Sequence, residues 1–353
     1  MSEAIMIPHS RPFLDEEDHR SVLDVLKSGQ IVQGEMVAAF EKAFCREMDL
    51  PGAVAVSSGT AALHLALLSL GIQKGDEVIL PSFVCSAPLN AIRYTGAEPV
   101  IADVDRHTFN IDVHDLKRRI TPKTRAVIVP HMFGLPADVD DIKSFGIPVI
   151  EDCAQSLGSR YKGAYTGSFG DLSIFSFYAT KMIATGEGGM VLSNNESLTE
   201  IIRDFRDYDE KENYNVRYNY KMTDIQAALG ISQLNKLSFF IEKRKNIADI
   251  YHHECKNCGF ETPVVPSGAD HIYYRYVLLL DHVDQFIHKM TTEGVACRRP
   301  VFKPLHRYLS LSGYETTDWL WERAVSIPIY PSLADNEISK IIEAVKSARS
   351  KHV

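Results

Sequence analysis

One lysine of this sequence stands where a lysine can act as a nucleophile. Lys181 follows the apolar segment LSIFSF, which has the character of a buried strand, and precedes the glycine-rich segment from Gly186 to Gly189. Burial between these segments removes water from the side chain and makes the neutral amine available for covalent chemistry. The alternative interpretation is an ordinary solvated lysine.

A carboxylate ends a second apolar segment, PVIEDC. Asp152 lies in this segment and Gln155 follows three residues later. An aspartate next to an apolar core is costly to bury unless it meets a cation, and a protonated pyridine nitrogen is one such cation. The alternative here is a surface aspartate or one that caps a turn.

The segment Ser57-Ser58-Gly59-Thr60 predicts an anion-binding site. It joins the strand-like GAVAV to the helical AALHLALLSL, so unpaired backbone N–H groups, small hydroxyls and the positive end of a helix dipole would meet there. An ordinary helix N-cap is the alternative. A polar loop, Asn219 to Asp224, precedes a later helical segment, with Thr223 or Asp224 as candidate caps.

Two other sets of residues could hold a metal or face a cleft. Cys255 and Cys258 form a Cys-x-x-Cys next to His252 and His253, but no second cysteine pair follows, which favours a helix-end surface cluster over a zinc site. His131 follows another strand-like segment and is either a cleft residue or a structural histidine. No serine-hydrolase elbow, P-loop or dinucleotide-binding glycine motif occurs.

The elements that must position these residues alternate along the chain. Helices are expected at about 14–28 and 35–48, and short strands at EVILP, PVIADV, AVIVPHMFG, PVIEDC, LSIFSF and GGMVLSN. Continuous Val/Ile-rich segments are typical of strands buried on both faces of a mainly parallel sheet. We therefore predict an α/β fold with a helix-flanked, mainly parallel sheet, a long connecting helix from Asp224, and a smaller α+β C-terminal domain.

The composition of the chain argues against several classes of partner and location. The 353 residues include 38 Lys and Arg against 46 Asp and Glu, a net charge of −8 that argues against nucleic acid as a partner. No apolar segment is long enough to cross a membrane, and the N-terminus lacks a secretory pattern, so we expect a cytoplasmic protein without a membrane partner. The six cysteines are too sparse for a disulfide framework and are expected to be reduced.

Taken in order, these segments resemble the DegT/StrS family of sugar aminotransferases, which use pyridoxal phosphate on the aspartate-aminotransferase fold, fold type I. The resemblance extends over nearly the whole chain. It rests on SGQIVQGEMVAAFEKAF, VSSGTAALHLALLSLGIQKGDEVILPSF, GAEPVIADVD, VPHMFGLPADVDDI, VIEDCAQSLGSRYKG, GSFGDLSIFSFYATKMIATGEGGMVLSN, YNYKMTDIQAALGISQL and SIPIYPSLADNEI. It implies a large cofactor-binding domain over 1–240 and a small C-terminal domain over 241–353.

The resemblance also implies roles for individual residues. Lys181 and Asp152 would be catalytic: Lys181 would anchor the cofactor and move the proton, and Asp152 would pair with the pyridinium nitrogen. The further cofactor-binding residues would be Gly59, Thr60, Cys85, Gln155, Ser176 and Asn219. No residue is assigned to a metal.

Two of these positions, Cys85 and Asn219, carry further expectations. Cys85 occupies the position at which many family members stack an aromatic ring on the cofactor, and Phe83 could compensate for the smaller thiol. Asn219 would reach the partner's phosphate in a homodimer with shared active sites. Cationic or polar candidates for the acidic part of a nucleotide remain unassigned: Lys221, Arg298, Arg299 and His306.

The implied reaction transfers the amino group of L-glutamate, which leaves as 2-oxoglutarate, to a keto-sugar linked to UDP, dTDP or GDP. Two alternatives remain. Relatives that dehydrate sugars on this fold have the lysine replaced, typically by His, whereas position 181 is Lys. A non-catalytic regulatory or binding protein is the other alternative, which the intact Lys181, Asp152 and Ser176 disfavour.

Overall fold

The computed structural model describes residues 6–255 and 258–349. The described residues form twelve strands: β1 Gly52–Val56, β2 Glu77–Pro81, β3 Glu98–Ala102, β4 Thr124–Pro130, β5 Val149–Asp152, β6 Arg160–Tyr161, β7 Ala164–Tyr165, β8 Leu172–Ser176, β9 Gly189–Ser193, β10 Ala269–Asp270, β11 Tyr276–Leu279 and β12 Ala324–Ile327. Every strand segment expected from the sequence is present.

Thirteen α-helices occur in the same ranges, with one 3₁₀ turn at Met132–Gly134. They are α1 Glu16–Ser28, α2 Glu35–Met48, α3 Gly59–Ser69, α4 Ala87–Thr95, α5 Val113–Arg119, α6 Val139–Lys143, α7 Glu196–Arg206, α8 Asp224–Leu234, α9 Leu237–Cys255, α10 Val283–Thr292, α11 Leu305–Tyr308, α12 Glu315–Arg323 and α13 Asp335–Arg349.

A seven-stranded sheet forms the centre of the molecule, in the order β1-β9-β8-β5-β4-β2-β3. The pairings β2–β3, β2–β4, β4–β5 and β5–β8 are parallel, whereas β9 is antiparallel to both of its neighbours. The predicted α/β fold with a mainly parallel sheet is confirmed.

Both faces of this sheet are buried, as the continuous apolar segments predict. In β2, Val78 and Leu80 pack into the core on the α3 and α4 side. Ile79 points to the opposite face, where it meets Leu116 of α5 and Ile142 of α6. Alternate residues of β2 enter different cores. A shift of β2 by one residue would therefore leave both faces covered, but each side chain would enter the core on the wrong side of the sheet.

The expected long connecting helix is interrupted, and that expectation is wrong at one point. Helix α8 ends at Leu234 and α9 begins at Leu237. At the junction the N–H of Lys236 bonds to the Gln233 carbonyl three residues back. The Lys236 ammonium contacts Asp15 and Asp18 at the start of α1, which fixes this tighter turn against the N-terminal helix.

A second core is built mainly from the C-terminal part of the chain. The two-stranded β11–β12 sheet packs with α9, α10 and α13 around side chains such as Tyr251, Met290 and Val345. Ile7, near the N-terminus, belongs to the same core. Helix α9 crosses the expected boundary between residues 240 and 241, and that division remains a prediction. Within the described ranges, no helix is long and apolar enough to cross a membrane.

Candidate active site

The strand register brings three of the sequence-predicted segments to one edge of the sheet. Val56 at the end of β1 pairs with Gly189, which pairs in turn with Ser176 at the end of β8. On the other side of β8, Ile174 pairs with Asp152 at the end of β5. In an open α/β sheet the carboxyl ends of parallel strands are the usual place for a ligand.

The predicted anion site lies where β1 meets α3. Ser58 caps the helix through the Ala61 N–H, as the N-cap alternative proposes. Gly59 lies directly against Ser176: a Cβ on Gly59 would lie 2.9 Å from the Ser176 Cβ. Within the described residues the hydroxyls of Thr60 and Ser176 make no hydrogen bond to another residue. The cap therefore coexists with two available hydroxyls at the positive end of α3, which fits a phosphate.

Asp152 is buried and has little compensation for its charge. Its Oδ1 accepts a hydrogen bond from the Ala154 N–H at 3.0 Å, and its Oδ2 receives none from a described residue. Burial raises the pKa of Asp152, while the Ala154 N–H, Lys181 and His131 oppose that rise. A buried carboxylate with an open oxygen fits a ligand that brings a cationic N–H, such as a pyridinium.

Gln155 is held with its amide nitrogen available. The Phe133 N–H donates to Gln155 Oε1 at 3.1 Å, and Gln155 Nε2 lies 4.0 Å from the Met132 Sδ, a weak acceptor. Phe133 has a φ of 61°, which is uncommon for a side chain of that size and directs its N–H toward Gln155. The amide N–H₂ can therefore donate to a ring oxygen.

Lys181 is half-buried in the turn that follows β8. Its backbone N–H bonds to the Tyr178 carbonyl at 2.8 Å, and its Nζ atom lies 5.3 Å from the centroid of the Tyr274 ring. The Tyr274 Oη lies 3.3 Å from Oγ1 of Thr180, the residue before the lysine. Lys181 therefore lies half-buried beside a buried aromatic ring.

Tyr274 is electrostatically perturbed by its neighbours. Burial alone would raise its pKa, but Lys181, Arg275, the Thr180 hydrogen bond and Arg244 together outweigh burial and lower the pKa of Tyr274 to about 8. Positive charge thus accumulates around this ring, a pattern frequent at functional sites.

Cys85 and Phe83 differ in their surroundings. Cys85 is exposed and lines a large cavity, whereas Phe83 is fully buried against Phe109 and Phe133. The structure gives no support to compensation by Phe83, because its ring is committed to the core. Stacking by Cys85 remains a prediction.

Asn219 lies at the surface, whereas two of the unassigned candidates, Lys221 and His306, are already bonded to other residues. Asn219 is exposed, in a long segment between α7 and α8. Lys221 pairs with Asp207 and Asp209 at 2.8 and 2.5 Å. His306 is buried, bonded to Ser82 and Asp318, and so is not free to meet a ligand.

The cavity lies between the start of α4, helix α10 and the segment from Arg298 to Lys303, and it has a volume of about 930 Å³. Its wall combines cationic and aromatic side chains with Cys85: Arg275, Arg298, Arg299, Lys303, Arg307, Tyr308 and Trp321. Arg299 pairs with Asp284, and Arg307 with Asp318. Arg298 and Lys303 have no carboxylate partner among the described residues. The cavity suits an anionic ligand with a planar part.

His131 is a structural histidine, the second of its two interpretations. Its Nδ1 accepts from the Ala137 N–H, so its proton is on Nε2, which donates to Glu151 at 3.0 Å. Glu151 also accepts from the Gly167, Phe169 and Gly170 N–H groups. His131, Glu151 and Cys153 could by spacing hold a metal ion, but the histidine and the carboxylate are already bonded.

The Cys-x-x-Cys segment packs into the C-terminal core. Cys255 and Cys258 are both buried, and the residues between them, Lys256 and Asn257, lie outside the described residues. All six cysteines are free thiols, as expected.

Tyr274 and Arg275 were not among the residues singled out from the sequence. They precede β11 of the small sheet, whereas the residues predicted from the sequence lie at or after the ends of strands in the large sheet. The polar run His271-Ile272-Tyr273-Tyr274-Arg275 before an apolar strand was the available signal.

Comparison with known proteins identifies the chain. The model of the DegT/DnrJ/EryC1/StrS aminotransferase family matches residues 12–346. The chain belongs to this family. It is 37% identical to the GDP-perosamine synthase of Escherichia coli O157:H7, over 96% of this chain and 97% of that protein. It is 36% identical to the spore coat polysaccharide biosynthesis protein SpsC of Bacillus subtilis, over 96% of each.

A solved structure agrees with this assignment. The PLP form of Spr1654 from Streptococcus pneumoniae superposes with a TM-score of 0.91 at 28% identity, covering 99% of this chain and all of that chain. This DegT/DnrJ/EryC1/StrS protein is a sugar aminotransferase, and the enzyme class expected from the sequence is confirmed.

Proposed function

We propose that the chain binds pyridoxal phosphate and moves the amino group of L-glutamate to a nucleotide-linked keto-sugar. The observation that carries this proposal is the convergence at one sheet edge of an anion site, a buried carboxylate with an open oxygen, an amide donor and a lysine. Pyridoxal phosphate offers one partner to each: a phosphate, a pyridinium, a phenolic oxygen and an aldehyde. When bound, it supplies an electron sink for the carbon that loses a proton.

Within this proposal the residues have separate tasks. Gly59, Thr60 and Ser176 bind the phosphate, Gln155 orients the ring, and Asp152 keeps the ring nitrogen protonated by stabilising its charge. Cys85 covers the face of the ring. Lys181 anchors the cofactor through its ε-nitrogen, and that nitrogen carries the proton when the anchor is released.

The acceptor follows from the neighbouring cavity. A nucleotide diphosphate carries at least two negative charges and a planar base, and the wall of the cavity offers unpaired Arg298 and Lys303 together with Trp321 and Tyr308. The relative named GDP-perosamine synthase supports a nucleotide-linked sugar and makes GDP-linked keto-sugars the first acceptors to screen, followed by UDP- and dTDP-linked ones.

Lysine at position 181 favours transfer over dehydration. The dehydratases that share this fold have that lysine replaced, so the residue type at this one position distinguishes the two reactions. We further propose that the reaction takes place in the cytoplasm, where nucleotide sugars and glutamate are available.

We also propose a homodimer in which Asn219 reaches the partner's phosphate site. The segment around Asn219 exposes apolar surface, with Tyr214 92% and Val216 63% accessible in the single chain. Exposed apolar groups of this size are typical of a contact surface. Sedimentation equilibrium should give twice the mass of the chain, and a monomer with full activity would contradict the shared site.

The proposed function is tested by trapping the lysine. Purified protein with pyridoxal phosphate should absorb in the near-visible range, and borohydride reduction should attach the cofactor to the peptide that contains Lys181. Glutamate should convert the spectrum to that of the pyridoxamine form. Lys181→Ala should lose both the trapped adduct and turnover, whereas Lys162→Ala, at an exposed ion pair with Asp140, should keep both. Full turnover in Lys181→Ala would refute the assignment.

A further inference from the structure

Arg275 is an arginine without an acidic partner at the edge of the candidate site. It is half-buried, and no carboxylate of a described residue lies within ion-pair distance of it. Its Nη1 atom instead approaches the two ring nitrogens of His9 at 3.3 and 3.2 Å. Burial, Arg275 and Arg298 lower the pKa of His9 to about 3, so this histidine is neutral and supplies no charge opposite to the guanidinium.

The surroundings of Arg275 increase the excess of positive charge. Arg244 of α9 is buried directly behind it and donates to the carbonyls of Tyr273, Tyr274 and Ile329, again without a carboxylate. Lys181 lies on the other side of Tyr274. Asp152 is near enough for the charge of Lys181 to act on it, and under the proposed function this carboxylate pairs with the cofactor ring. One buried and two half-buried cations close together favour an anion as a partner, because uncompensated charge is costly away from water.

The position of Arg275 indicates which anion it meets. The Arg275 Cζ and the Lys181 Nζ each lie 5.3 Å from the centroid of the same Tyr274 ring, so the two cations are at most about twice that distance apart. Arg275 also lines both the narrow cleft beside Thr180 and the large cavity beside Cys85. A dicarboxylate amino acid whose amine reacts where the lysine nitrogen lies can extend one carboxylate across a separation of this size toward Arg275.

We propose that Arg275 binds a carboxylate of the amino-acid donor, with the Tyr274 ring as the spacer that separates this arginine from Lys181. A guanidinium and a carboxylate match in a planar, two-point hydrogen bond, which also fixes the direction of the donor. This inference rests on the proposed function, because it takes Lys181 as the point of reaction. It adds the residue that selects the donor.

The test separates donor from acceptor binding. Arg275→Met should raise the KM for L-glutamate roughly 10- to 100-fold, with a smaller effect on the KM for the keto-sugar nucleotide, because a charge-assisted two-point contact is lost. Arg275→Lys should give an intermediate KM, since it keeps the charge and loses the planar pair. Arg160→Met is the matched control: that guanidinium stacks on Tyr165 and bonds to the Gly163 carbonyl.

A binding measurement makes the test independent of turnover. Calorimetric titration with glutarate, a dicarboxylate without an amine, should show at least roughly tenfold weaker binding to Arg275→Met than to the wild type or to Arg160→Met. Unchanged glutamate KM and glutarate affinity in both Arg275 variants would overturn the inference. A raised acceptor KM with unchanged glutamate KM would also overturn it, by assigning Arg275 to the phosphates.

Failure of the inference and failure of the proposed function give different results. If glutamate leaves the spectrum of the wild-type protein with pyridoxal phosphate unchanged, the proposed donor is wrong and Arg275 has no donor to bind. If the wild type responds and Arg275→Met responds at the same glutamate concentrations, only the role of Arg275 is wrong.

Discussion

Asp152 shows how one side chain can be prepared for a ligand at a cost to the fold. It is buried, it has one accepted hydrogen bond from Ala154, and its second oxygen has no donor among the described residues. A residue kept for stability alone would satisfy both oxygens. The open oxygen therefore favours a role in binding.

Asp152→Asn tests that role. The variant should still fold and bind pyridoxal phosphate, but the glutamate half-reaction should slow by roughly 100-fold or more, because an amide cannot stabilise a positive charge on the ring nitrogen. Rapid-scanning absorbance of a single turnover measures the rate. Asp138→Asn, at the N-cap of α6, serves as the control, and an unchanged rate in Asp152→Asn would remove the assigned role.

At the scale of elements, Asp224 links two distant helices. It is the first residue of α8, yet its carboxylate accepts hydrogen bonds from the N–H groups of Gly34, Met36 and Val37 at the start of α2. Thr223 and Gln226 form the capping box of α8 itself. Of the two candidate caps, Thr223 caps its own helix and Asp224 caps the other.

Asp224→Ala should therefore destabilise the protein more than loss of an ordinary cap. Three N–H groups lose a charged acceptor, and we expect a fall of about 2–4 kcal/mol in the free energy of unfolding. Asp112→Ala, which removes the cap of α5 from two N–H groups, should cost about 1 kcal/mol. Denaturant unfolding of both variants measures the difference, and equal losses would contradict the linking role.

The elements themselves were largely predictable from the sequence, and the exceptions have physical causes. Apolar segments such as EVILP and LSIFSF predict strands because a strand buried on both faces tolerates few polar residues. The antiparallel direction of β9 and the break before Lys236 depend on partners far away in the chain. Lys181 and Asp152 could be singled out because they lie at or just after the ends of strands. For Arg275 the sequence offers only the segment before β11, and its significance depends on the absence of a nearby carboxylate among the described residues.

At the scale of the whole molecule, the buried His64 and His271 and the half-buried His9 make stability depend on pH. Burial lowers the pKa of His64 to about 4 and that of His9 and His271 to about 3. An unfolded chain binds these protons near pH 6.5, whereas the folded chain does not. The unfolded state therefore gains protons first as the pH falls, and stability declines from about pH 6.5 toward pH 4.

His64→Phe should reduce that decline. His64 lies in α3 among Tyr94, Tyr218 and Tyr220. Its Nε2 atom has no partner among the described residues and its Nδ1 lies 3.3 Å from the Tyr220 hydroxyl, so a phenyl ring keeps the packing and loses one long hydrogen bond. Between pH 7 and pH 5 the wild type should lose about 2 kcal/mol more than the variant. Urea unfolding at the two pH values measures this, and parallel declines would show that His64 titrates normally.

The pairing of β1 with β9 has a consequence for synthesis. Gly52 pairs with Ser193 and Val56 with Gly189, so the strand that leads into the anion site has no neighbour in the large sheet until 133 to 141 further residues have been made. At about 5–20 residues per second, that is a delay of roughly 7–28 s on the ribosome. During this interval β2 to β5 can pair with one another, while the apolar GAVAV segment of β1 has no strand partner. The site is therefore completed late, and a nascent chain arrested before β9 would contain Lys181 but lack the paired β1 strand that leads to its phosphate site.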